Sequence, residues 1–95
     1  MKIKVEFSGG LELLFDNQKH LAIEVDNARF TVNELIEHMR VNCLKEKEEM
    51  FVQGGTVRPG IIVMINDTDW ELEGQGDYAI QDRDVIAFIS TLHGG

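Results

Sequence analysis

A single helical stripe, in a chain otherwise patterned for strands, is the feature that most limits the fold. Val32, Leu35, Ile36, Met39 and Cys43 recur at helical spacing and give one apolar face. Thr31 and Glu34 predict its start: together they fit a capping box, in which each side chain satisfies the other residue's backbone N–H. Glu34, Glu37, His38 and Arg40 fall off the stripe. One such helix can cover only one face of a sheet.

The strands follow from alternation. Lys2 to Phe7 places Ile3, Val5 and Phe7 on one side and Lys2, Lys4 and Glu6 on the other. Ser8-Gly9-Gly10 is a turn, Leu11 to Phe15 an apolar connection, and Asp16-Asn17 a second break. His20 to Val25 alternates again and predicts an antiparallel partner for the first strand. Leu44 to Glu49 reads as irregular or a short helical turn, and Met50, Phe51 and Val52 as cover for the helix end. Gly54-Gly55 and Pro59-Gly60 bracket a loop. Ile61 to Ile65 is a continuous apolar run, as in a central strand. Asn66 to Asp69 turns the chain, Trp70-Glu71-Leu72 reads as a short strand, Gly74 to Asp84 as a loop, and Val85 to Ser90 as the last strand.

The order is strand, strand, helix, strand, short strand, strand. A mixed sheet with the first and last strands central and parallel, and one helix packed across it, accommodates that order. This is an α+β chain of the β-grasp type. Its 95 residues predict one domain over 1–90 and a flexible tail over 91–95. Lone Cys43 forms no internal disulfide, which favours a reducing compartment. Lys2 and Lys4 open an alternating segment, so no signal peptide is expected, and no apolar run has membrane-spanning length. Net charge is −8, which predicts no direct binding of nucleic acid. Asp67, Asp69, Glu71, Glu73, Asp77, Asp82 and Asp84 have only Arg83 as a nearby base. They read as a solvated acidic face, with docking to a basic partner as the sharper alternative.

The functional signal is at the end of the sequence. The last strand, Val85 to Ser90, leads without a linker into the tail Thr91-Leu92-His93-Gly94-Gly95. Glycine lacks a Cβ and passes extended through a channel too narrow for other residues. A terminal glycine also leaves its carboxyl carbon open to attack. That geometry suits a C-terminus that is itself the reacting group. A frayed end is the plainer alternative.

Val57-Arg58-Pro59-Gly60, Ile65-Asn66-Asp67 with Trp70-Glu71-Leu72, and Thr91-Leu92-His93-Gly94-Gly95 closely resemble the ubiquitin-related modifiers of eukaryotes, over essentially the whole chain. The resemblance implies a protein substrate and sulfur carrier, not an enzyme. An E1-like activating enzyme with a rhodanese domain would adenylate Gly95 and convert it to a thiocarboxylate, using ATP and a persulfide sulfur donor. No cofactor would be bound by the chain. The sulfur would pass to a tRNA thiolase complex that makes 2-thiouridine at the wobble position of cytosolic tRNAs. The activated end could also be joined to lysines of target proteins. Leu92, His93 and Gly94 would be read as the tail enters the enzyme. The resemblance places the chain in the cytoplasm, with the nucleus also open, as a monomer with no membrane partner. Two alternatives stay open: a sulfur carrier for a small-molecule pathway of the molybdopterin or thiamine type, and a non-covalent ubiquitin-like interaction module.

Alternation assigns the faces of two strands. Val63, Ile65, Ile86 and Phe88 point toward the helix; Ile62, Met64, Ala87 and Ile89 point away and form an apolar patch for a partner. Cover by Gly74 to Asp84 or by Met50 to Val52 is the alternative. Cys43 reads as core packing, and His20 and His38 as exposed. The three histidines have no metal-ligand spacing, so neither a metal nor a catalytic residue is expected.

Overall fold

The computed structural model describes residues 1–45 and 47–91. Strand β1 (Lys2–Ser8) alternates exposed and buried residues as its pattern requires. Leu11–Phe15 then forms a 3-10 helix that buries Leu11, Leu14 and Phe15. It is more than a connection: Phe15 stacks on Phe7 at 4.2 Å between ring centroids. Strand β2 (His20–Glu24) returns antiparallel to β1, with Val5 opposite Leu21.

Helix α1 (Val32–Asn42) carries the expected capping box. The Glu34 N–H donates to Thr31 Oγ1 at 3.2 Å, and the Thr31 N–H donates to Glu34 Oε1 at 3.1 Å. Val32, Leu35, Ile36 and Met39 are buried against the sheet. Cys43 is half-buried beside this core, and burial pushes its thiol pKa up. His38, expected to be exposed, is half-buried and meets Phe30 edge-on; its position borders the apolar stripe closely enough for one ring to reach it.

A 3-10 turn over Glu48–Met50 leads into a hairpin of β3 (Val52–Gln53) and β4 (Thr56–Val57), closed by Gly54 and Gly55. Phe51 does more than cover the helix end. It is fully buried and packs edge-on against both Phe15 and Phe88.

Strand β5 (Ile61–Ile65) is followed by a departure from the expected elements, as β4 is within the expected loop before it. The short strand is β6 (Thr68–Asp69), and Trp70–Leu72 is a 3-10 helix. Asn66 and Asp67 both adopt positive φ, 49° and 68°, so the chain reverses in two residues and pairs at once with β5. Asp69 then accepts the Glu71 N–H at 2.9 Å, which caps the 3-10 turn at Trp70. Gln75–Asp77 adds another such turn, and Ala79 bridges to Thr31. The closing strand β7 (Val85–Ser90) lies between β1 and β5, parallel to the first and antiparallel to the second. Sheet order is β2-β1-β7-β5-β6. First and last strands therefore sit side by side and parallel, as the element order required.

Candidate functional site: the free sheet face and the base of the tail

The helix side of the sheet takes Val63, Ile65, Ile86 and Phe88, all 3% exposed or less. The alternation then forces Ile62, Met64, Ala87 and Ile89 onto the opposite face. Register brings them together: Ile62 lies opposite Ile89 and Met64 opposite Ala87. Ile62 is 41% exposed and the other three are half-buried. A shallow depression at this place is lined by Met64, Ala87 and Ile89 with Glu6, Lys19 and Asp67 around them. Neither proposed cover reaches it. Phe51 is in the core on the helix side, and the Gly76 Cα is pressed against the Asn33 side chain of α1, where a Cβ would overlap it.

At the end of β7 the chain is clasped from two sides. The Thr91 N–H donates to the Gly60 carbonyl at 3.0 Å, and Thr91 Oγ1 donates to the same oxygen at 2.6 Å. On the β1 side, Gly9 adopts φ 71° so close to Ser90 that a Cβ would overlap the Ser90 carbonyl oxygen. Thr91, placed by sequence at the start of the tail, is thus attached to the body. Leu92, His93, Gly94 and Gly95 lie outside the described residues.

Sequence reasoning missed what Asp84 does. It is 7% exposed and belongs to a polar lock, not to the acidic surface. Its carboxylate accepts from the Tyr78 hydroxyl at 2.7 Å, the Gln81 N–H at 2.8 Å and Asn66 Nδ2 at 2.9 Å. Asn66 Oδ1 in turn accepts the Val85 N–H at 2.8 Å. Burial, then the hydrogen bond to Asp84, raises the Tyr78 pKa to about 12. The lock ties the β5–β6 turn to the start of β7, so the Asn66 motif is architectural. Asp82 is also engaged: its carboxylate accepts the Lys2 N–H at 2.6 Å, which with nearby cations holds its pKa down.

A mixed sheet with one crossing helix, a free apolar face and a C-terminal strand leading to a di-glycine end defines a β-grasp protein of the ubiquitin-like class. The match to the ubiquitin related modifier (Urm1) family covers residues 2–95, and the chain belongs to that family. It is 57% identical over 96 residues to the ubiquitin-related modifier 1 homolog of Dictyostelium discoideum, with all of both chains covered. It is 50% identical over 115 residues to ubiquitin-related modifier 1 of Coprinopsis cinerea, covering all of this chain and 93% of that one. The solution structure of Urm1 from Trypanosoma brucei superposes with a TM-score of 0.84 at 41% identity, covering 99% of this chain and 95% of that one.

Proposed function

We propose that this protein is a sulfur carrier and modifier whose reacting atom is the carboxyl carbon of Gly95, and that it catalyses nothing itself. A carboxylate is a poor electrophile, so an E1-like partner with a rhodanese domain first joins it to AMP from ATP. A persulfide of the partner then attacks the adenylate and displaces AMP to give an acyl disulfide. A partner thiol cleaves its S–S bond, forming a disulfide on the partner and leaving a thiocarboxylate on Gly95. Re-activated, that end yields its sulfur to a tRNA thiolase complex for 2-thiolation of wobble uridine, or a lysine amine of a target protein attacks its carbonyl carbon and displaces the sulfur, forming an amide. Leu92, His93 and Gly94 are read by the partner as the tail enters it, and the expected place of action is the cytoplasm. The observation that carries this reading is that one strand serves both parts. β7 presents Ala87 and Ile89 on the free face and, past Thr91, leads into Gly94-Gly95. A partner seated on Ile62, Met64, Ala87 and Ile89 therefore has the reactive end within reach. Four residues at about 3.3 Å each extend roughly 13 Å.

The test is the intact mass of the protein after incubation with ATP, a sulfur donor and the activating enzyme. The expected gain is that of exchanging one oxygen for sulfur. Deleting Gly95 should abolish it and leave thermal unfolding unchanged. If the deletion variant still restored tRNA thiolation in cells lacking the wild type, the reading fails. High-molecular-weight conjugates separate a modifier from a pure small-molecule carrier, and an absent thiocarboxylate would leave a non-covalent binding module.

A further inference from the structure

The free face of the sheet has a second region, at the end away from the tail. β1 and β7 are parallel, so Lys4 lies opposite Val85 at the start of β7, whereas the tail leaves from its end. Here an open trough of about 530 Å³ has Ala22 and Val85 in its floor and Lys2, Lys4, His20 and Arg83 around it. Among the described residues no carboxylate lines it, in a protein of net charge −8. The neighbouring acids are engaged locally. Glu6 lies 3.6 Å from both Lys4 and His20, and Asp82 holds the Lys2 N–H and lies 3.7 Å from Arg83. Glu24 is the cross-strand neighbour of Lys2. Such exposed pairs are weak and exchange readily for a better-placed partner. Ala22 of β2, Lys4 of β1 and Val85 of β7 lie side by side, so the trough crosses three adjacent strands of the face.

We propose that this trough receives an extended acidic segment, with apolar side chains interspersed, of the protein partner that acts on the tail. Charge complementarity argues for the acid, the Ala22–Val85 floor for the apolar residues, and the run of the trough across three adjacent strands for the extended form. The trough and the Ile62–Met64–Ala87–Ile89 patch share one face. A partner holding both would be fixed in orientation with its active site toward the tail. This rests on the activation reading above.

The experiment reverses three charges, Lys2→Glu, Lys4→Glu and Arg83→Glu, and follows thiocarboxylate formation by the activating enzyme against salt. These side chains are exposed, so thermal unfolding should stay put. The expected result is a fall in kcat/KM of about tenfold or more at low salt, carried by KM, that shrinks as salt rises. A control triple, Arg29→Glu, Lys45→Glu and Lys47→Glu, changes net charge equally outside the trough and should have far less effect. Equal loss in both triples, a loss indifferent to salt, or no loss overturns the proposal. An NMR titration with a synthetic peptide alternating Glu and Leu supplies an independent arm. It should shift the Lys4, Ala22 and Val85 amides in the wild type and not in the first triple. If the wild type is never activated, the activation reading fails while the titration still decides the trough. Shifts by isolated tRNA in place of the peptide would assign the trough to nucleic acid and overturn the protein partner.

Discussion

The two faces of the sheet come from the same strands, yet they differ in what touches them. Phe88 and Ile89 are neighbours on β7. Phe88 is fully buried, with rings of Phe51 at 5.5 Å and Phe7 at 6.1 Å. Ile89 is half-buried and faces Ile62, itself 41% exposed. Both residues are large and apolar, so composition does not separate them. What separates them is that, among the described residues, the one α-helix and the aromatic cluster lie on the same side. The uncovered side retains apolar surface that a self-sufficient domain would have no reason to keep exposed.

That contrast breaks first at the core. Phe88→Ala should cost about 3–5 kcal/mol, because its site is closed on every side and cannot collapse around the cavity. Denaturant unfolding would read it directly; a loss under about 1 kcal/mol would mean that the helix side is not the core. Asp84→Ala should cost less, about 1–3 kcal/mol, by stranding donors of Tyr78, Asn66 and Gln81. No loss there would show that the lock does not hold the start of β7.

On the free face the effect should move from stability to function. Met64→Asp and Ile89→Asp should each change stability by about 1 kcal/mol or less, while raising the KM for activation. Should either unfold the protein, the face is covered in solution and the patch is not a binding site. The smallest effect is spectroscopic. Tyr78 is the sole tyrosine, so tyrosinate absorbance reports it alone. Its ionisation should centre near pH 12 in the folded protein, against 10.0 for an ordinary tyrosine. Since the folded pKa is the higher, its contribution to stability is complete below pH 10 and is lost as pH climbs toward 12. A midpoint at the ordinary tyrosine value would mean that the Asp84 contact is not formed.

Much of this architecture was legible in the chain. Period-2 alternation in Lys2 to Phe7 and the stripe from Val32 to Cys43 are local signals, each set by the geometry of one element. The same alternation assigned Ile62, Met64, Ala87 and Ile89 to the free face, because one helix leaves one side uncovered. The chemistry of a terminal glycine, with the resemblance, pointed to Gly95; periodicity did not. What was misread depended on partners distant in sequence. Trp70–Leu72 is apolar enough for a strand, but the positive φ values at Asn66 and Asp67 had already placed Thr68 and Asp69 against β5. Asp84 looked like one more surface acid until Tyr78, Gln81 and Asn66 enclosed it.

The sequence by itself determined the long strands and the α-helix, their order and their inward faces, because side-chain periodicity is a property of a single segment. Only the tertiary structure decided which acids are solvated, that Gly60 clasps Thr91, and that Lys2, Lys4 and Arg83 gather around one trough. Those outcomes depend on distances between residues up to 81 positions apart, set when β7 inserts beside β1 and brings the end of the chain to its beginning.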